Sequence, residues 1–390
     1  MSAAANAAGD GKPLDIVILG LALRSSWGNG HATTYRALVT ALEGRGHRVL
    51  FLERDVSWYA DHQDLPEDLP GRLALYSDPT QLADEYSSAV ADADLVIVGS
   101  YVPDGITVGR WAQQTARGVV AFYDIDTPVT LASLERGECA YLSPEVIPRY
   151  DLYLSFSGGR SLRTLEQRYG SPLALPLYCS VDPARYRPQE VEPLYDLGYM
   201  GTYSDDRQPV LERLMLGPAR RWTEGRFVVA GPQYPQNIAW PENVQRIEHL
   251  GPAMHARFYS EQRFTLNVTR ADMVAAGWSP SVRLFEAAAC GVPIVSDPWQ
   301  GLDSLFEPGA EILIAHYAGD VLGWIRDMPE ERRRQIGEAG RRRILAEHTS
   351  DHRAQTLEQY FERATRQRRG GRSAPNAQAR ASAVRAGAAA

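Results

Sequence analysis

Lysine is almost absent from this chain. Lys12 stands alone among 41 lysine and arginine residues. A phosphate held by the folded part must therefore meet arginine or backbone amides. Cysteine is scarce as well. Cys139, Cys179 and Cys290 are far apart and odd in number, which argues against a disulfide framework and for a reducing compartment. No apolar run approaches the ~20 residues of a membrane span. Residues 1–13 lack the apolar stretch of a secretory signal. The expected location is cytoplasmic, and peripheral contact with a membrane has no support in the sequence. The formal net charge of −7 speaks against a nucleic-acid partner. Histidines and acids show no compact ligand spacing, so neither a metal nor a bound cofactor is expected.

What is present is an alternation of strands and helices long enough for two domains, at 390 residues. The first domain is expected over 14–185. Its apolar runs at 15–20, 48–53, 95–100, 119–124 and 152–156 are separated by segments of helical period. That pattern implies parallel pairing in a doubly wound sheet. The second domain is expected over 186–350, with runs at 194–201, 226–231, 263–268, 293–296 and 311–315. A helix at 351–365 should close the fold. Residues 366–390 are Arg, Ala, Ser and Gly with almost no large apolar side chain, and are expected to be a disordered tail. The Arg- and Glu-rich stretch 329–347 reads as a solvated helix with internally paired charges.

The most informative segment is 277–297, GWSPSVRLFEAAACGVPIVSD. Pro280 suits a helix start, and Ser279 or Ser281 is placed to cap it. Leu284, Phe285 and Ala288 share one helical face, and Cys290-Gly291 ends the helix. The N–H groups of Ser281, Val282 and Arg283 would form an anion site. Glu286 follows about a turn and a half later, within reach of a ribose attached to the bound phosphate.

This segment resembles the nucleotide-sugar motif of GT-B glycosyltransferases, in particular the CgeB-like glycosyltransferases and the related glycosyltransferase family 4. Glu286 matches the second glutamate of the family 4 motif. The first, eight positions earlier, is replaced here by Trp278. The passage VDPARYRP (181–188) resembles the link between the two GT-B domains. The resemblance implies two Rossmann-like domains facing across a cleft. It also implies transfer of a sugar from a nucleotide-diphospho-sugar to an acceptor hydroxyl, without metal. The base, the sugar and the acceptor are not legible. A retaining outcome is favoured over an inverting one. The alternatives are a non-hydrolysing sugar-nucleotide epimerase and a non-catalytic sugar-nucleotide-binding protein, which Trp278 would suit.

Other candidates lie where parallel strands end. Gly28, Asn29 and Gly30 follow the first strand and would let an acceptor approach the backbone. His31 and Asp126 are the candidate bases if the reaction inverts. Asp124, two residues before Asp126, is expected on the same side by strand alternation, as an acceptor contact. On the donor side, Gly201 gives close approach, Arg207 or Arg283 is expected to grip the diphosphate, and Leu250 to present backbone to the base. His249 and His255 read as structural.

Overall fold

The computed structural model describes residues 12–27 and 30–386, with side chains as far as residue 370. Gly28 and Asn29, two of the expected acceptor contacts, lie outside the described residues.

The first domain is built on seven strands: β1 (Asp15–Gly20), β2 (Arg48–Arg54), β3 (Arg72–Tyr76), β4 (Leu95–Gly99), β5 (Val119–Asp124), β6 (Leu152–Ser155) and β7 (Ala174–Pro176). They pair in parallel in the order β3-β2-β1-β4-β5-β6-β7. The second domain repeats the plan with β8 (Tyr195–Met200), β9 (Phe227–Ala230), β10 (Val244–Ile247), β11 (Gln262–Asn267), β12 (Ile294–Ser296) and β13 (Leu313–Ile314). Their order is β10-β9-β8-β11-β12-β13, again parallel. In each sheet the strand order reverses beside the first strand, at β1/β4 and β8/β11. Crevices at such points are where doubly wound sheets bind ligands.

The reading of central strands holds: β4 and β5 are buried throughout, which sequence shows as unbroken apolar runs. The strands absent from that reading are β3, β7 and β10. All three are sheet edges, short and partly exposed, so their pattern is weak.

The two domains are linked twice by the chain. Val181, leaving the first domain, bridges to Thr349, immediately before the last helix, Ser350–Ala386. That helix returns to the first domain and buries Ala354, Leu357 and Ala364 in its core. Tyr360 OH donates to Pro176 O at 3.2 Å. The helix extends beyond the expected limit of 365, into residues expected to be disordered. Arg368 already anchors to Asp151 Oδ2 at 2.9 Å.

Across the cleft, Gly158 N donates to Trp278 O at 2.9 Å, and Ser157 Oγ meets Ser279 Oγ. Trp278 holds a left-handed backbone, φ +44°, which is strained for a bulky residue. Its ring lies against Gly159 of one domain and Gly301 of the other. A Cβ at either glycine would come within 2.4 Å of the indole.

Glu358 on the last helix accepts from Arg45 Nε at 2.7 Å and pairs with His47 Nε2 at 2.8 Å. Partial burial opposes its charge, but these partners outweigh it and hold its carboxyl below the ordinary value. A depressed carboxylate stabilises the fold above its unfolded pKa, and that contribution fades as pH falls through the folded one. Glu358→Gln should therefore lower the thermal midpoint at pH 7, with the gap to wild type closing below about pH 4. Paired melting curves across pH test this.

Candidate active site

The second domain supplies a pocket floor at the carboxyl ends of β8 and β9. Gly201 and Gly231 meet there: a Cβ on Gly231 would lie 2.1 Å from Gly201 O. A Cβ on Gly201 would strike Tyr199 OH and Arg283 Nη2, at 2.5 and 2.9 Å. The glycine at 201 thus makes room for neighbouring side chains as well as for a ligand.

The helix Val282–Ala289 points its start at this floor. It begins two residues after Pro280, whose carbonyl instead accepts from Cys179 Sγ at 3.3 Å. Neither candidate serine caps it. Ser281 is the N-cap residue, but its hydroxyl donates to Asn267 Oδ1 at 2.8 Å, and Ser279 is turned to Ser157. The first-turn N–H groups are left without a side-chain cap, which is the arrangement that suits an anion.

Arg283 is nearly buried. It donates to Met200 O at 2.6 Å and Asn267 Oδ1 at 2.9 Å, and its guanidinium lies 4.9 Å from the Tyr199 ring centre. Glu286 is also nearly buried. Tyr259 OH donates to its Oε2 at 3.3 Å, and His255 Nδ1 stands 4.0 Å away. Burial raises the Glu286 pKa, and His255 and the two tyrosines Tyr186 and Tyr259 oppose that rise. His255 Nε2 lies 3.2 Å from Leu250 O, to which it donates. Its Nδ1 stands 3.2 Å from Tyr186 OH. His255 is thus held between Leu250 and Tyr186, and the Leu250 carbonyl is already engaged.

Two cavities abut across the helix start. One, about 230 Å³, is bordered by Gly201, Gly231, Leu250, Val282, Arg283 and Glu286. The other, about 280 Å³, is bordered by His31, Asp126, Arg207, Arg270, Ser281 and Arg283. Gly30, Val282 and Arg283 border both. The expected donor residues are thereby gathered around one helix terminus, with first-domain groups opposite. Gly30 has open space where a Cβ would stand.

In the first domain, His31 opens the helix His31–Gly44 and its ring lies edge-on to Tyr101, at 5.3 Å between centres. Burial pulls its pKa down to about 4, so at neutral pH the imidazole is uncharged, and taking up a proton is costlier there than for an exposed histidine. Asp126 accepts from Tyr101 OH at 3.0 Å and lies 3.7 Å from Arg270 Nη1 of the other domain. Burial raises its pKa.

Asp124 corrects the sequence reading. It is fully buried and does not border either cavity. Its carboxylate accepts from Tyr153 OH at 2.6 Å, Thr130 Oγ1 at 2.8 Å and Asp126 N at 3.2 Å. Alternation fails because β5 ends at Asp124: the chain turns, Asp126 goes to the cleft and Asp124 fastens the turn beneath it. Burial pushes its pKa up to about 6.

Sequence reasoning also missed Asn267, Arg270 and Tyr259. Asn267 closes β11 and accepts from both Ser281 and Arg283. No motif marks these residues; only the ends of β11 and of its neighbours bring them together. Among the described residues, no group of three or more His, Cys, Asp or Glu side chains is arranged to hold a metal ion.

Residues 207–359, which contain this helix and Glu286, match the family model described as glycosyl transferase-like. The chain carries a glycosyltransferase domain. No curated protein matches it. Among solved structures it is similar to sucrose-phosphate synthase from Thermosynechococcus elongatus, at 14% identity and TM-score 0.65, covering 90% of this chain and 98% of that one. It is similar to HepE from Anabaena, solved with UDP and glucose, at 12% identity and TM-score 0.64, covering 90% and 99%. A further similar structure is an alpha-glucosyltransferase solved with UDP-glucose and DNA containing an abasic site, at 14% identity and TM-score 0.69, covering 91% and 100%. At these identities the likeness establishes the fold: this is the two-domain GT-B architecture. No helix among the described residues is long and apolar enough to cross a membrane.

The burial of Asp124 yields a prediction. Asp124→Ala removes an acceptor from three donors, so it should cost about 2–4 kcal/mol of stability. Urea denaturation should show that loss.

Proposed function

We propose that this protein transfers a sugar from a UDP-sugar to an acceptor hydroxyl. The carrying observation is the pair of cavities that abut across the start of Val282–Ala289. Their division fits the two ends of such a donor. The smaller one, with Glu286, Leu250 and Gly231, suits the nucleoside, and Glu286 would accept from the ribose hydroxyls. The diphosphate would lie at the uncapped helix start beside Arg283. The sugar would face His31 and Asp126. The choice of UDP follows the neighbours solved with UDP or UDP-glucose. The DNA in one of those neighbours is not carried over, because this chain's net charge of −7 disfavours a polyanionic acceptor.

A retaining course fits the site best. The bond from the anomeric carbon to the diphosphate oxygen breaks, and the acceptor oxygen bonds to that carbon from the same face. The acceptor proton passes to the departing phosphate oxygen. Negative charge grows on the diphosphate, where arginine and helix N–H groups can stabilise it. No protein nucleophile is required, and Asp126 serves as an acceptor or sugar contact. With side chains carrying the leaving-group charge, we infer a metal-independent enzyme, whose activity should survive EDTA. Closure of the two domains would exclude water from the transfer.

Two measurements test this. Glu286→Gln should weaken UDP binding by about 1–3 kcal/mol without unfolding the protein; unchanged affinity sinks the ribose assignment. The anomeric configuration of the product, read by NMR, should match that of the donor. In an inverting enzyme the configuration changes, and either His31→Ala or Asp126→Asn should lower turnover by about 10²–10⁴.

A further inference from the structure

Three arginines border the cavity assigned to the diphosphate and sugar, and they are held differently. Arg207 donates to Ser204 Oγ and Thr202 O, both at 2.8 Å. Arg283 donates to Met200 O, Asn267 Oδ1 and Val268 O. Their guanidinium groups are built into the floor. Arg270 is not. It stands between two carboxylates, 3.7 Å from Asp126 Oδ2 and 3.9 Å from Asp206 Oδ2. Both separations exceed hydrogen-bond length. Its Nε is buried with no hydrogen-bond partner among the described residues. The Arg270 side chain is 38% exposed, so its outer N–H groups reach solvent, while the buried Nε–H is left without an acceptor, which is costly. The two carboxylates give Arg270 charge balance but not bonds.

Each carboxylate has other ties. Asp126 keeps the Tyr101 hydroxyl at 3.0 Å. Asp206 accepts from Ala271 N at 2.8 Å. Arg270 can therefore turn away without stranding either acid. It also sits two residues beyond Val268, whose carbonyl accepts from Arg283, so it is close to the uncapped helix start.

Building on the UDP-sugar reading above, we propose that Arg270 is a diphosphate contact that exchanges Asp126 for the donor. Diphosphate oxygens supply the short, charge-assisted acceptors that the two carboxylates do not. The exchange has a second effect. Once Arg270 engages the donor, the Asp126 oxygen that faced it is released to an acceptor or sugar hydroxyl. Donor binding thus precedes a productive acceptor site, and one residue links the two halves of the cleft.

The exchange has a thermodynamic signature. Asp126 competes with the diphosphate for Arg270, so neutralising Asp126 should tighten UDP binding, and only while Arg270 is present. Calorimetric titration of UDP and of uridine into wild type, Arg270→Ala, Asp126→Asn and the double variant tests this. Arg270→Ala should weaken UDP by about 10–100-fold and uridine by less than about twofold. Asp126→Asn should tighten UDP by about 3–10-fold, and the gain should vanish in the Arg270→Ala background. Unchanged or weaker UDP binding in Asp126→Asn overturns the exchange. So does a gain that persists without Arg270, which marks simple relief of repulsion. If wild type binds no UDP, the donor assignment itself falls; if it binds UDP and the cycle shows no coupling, only the exchange does.

Discussion

The donor half of the cleft depends on one buried guanidinium. Arg283 sits at the start of Val282–Ala289 and reaches back to the carboxyl ends of β8 and β11, through Met200 O and Asn267 Oδ1. It lies on the Tyr199 ring and fills the space that Gly201 leaves open. A buried charge is tolerated only when its hydrogen bonds are met, and these carbonyls and the Asn267 amide meet them. The consequence is a helix terminus fixed relative to two strand ends. Glu286, one turn further along, inherits its position from that arrangement and from Tyr259 and His255. Without Arg283 the helix start, the glycine floor and the Glu286 carboxylate would have no common reference.

The facing half is fixed by a different device. Asp124 is buried under the turn that presents Asp126, and its hydrogen bonds from Tyr153 and Thr130 set that turn. The residue that shapes this face, Asp124, does not itself border either cavity. Trp278 joins the halves. It occupies the place of a glutamate in the family 4 motif that this segment resembles. Here its ring seals the contact between Gly159 and Gly301, a packing role a carboxylate could not fill. The same observation weakens any mechanism that requires an acid at 278.

The architecture was legible because both sheets have central strands buried on both faces, whose apolar runs stand out. The edges β3, β7 and β10 were not, since each is short, incompletely buried and carries no long apolar run. Within the site, Glu286, Arg283 and Gly201 were legible because one local segment and one strand end place them. Asp124 was misread because strand period was carried one turn too far. Arg270 and Asn267 were invisible for another reason: their significance arises from where β11 ends relative to β5 and β8, which is a property of topology rather than of spacing. The last helix, expected over 351–365, runs over Ser350–Ala386 in the structure.

The two chain crossings between domains lie side by side, joined by the Val181–Thr349 bridge. Two strands of chain sharing one bridge act like a door hung on a single pin. They tie the domains together at one point, and Arg270 and Asp126 lie on the two leaves joined there. A cycle that opens for substrate and closes for transfer would start each closure from this joined edge, with the Gly158–Trp278 and Ser157–Ser279 contacts completing the alignment.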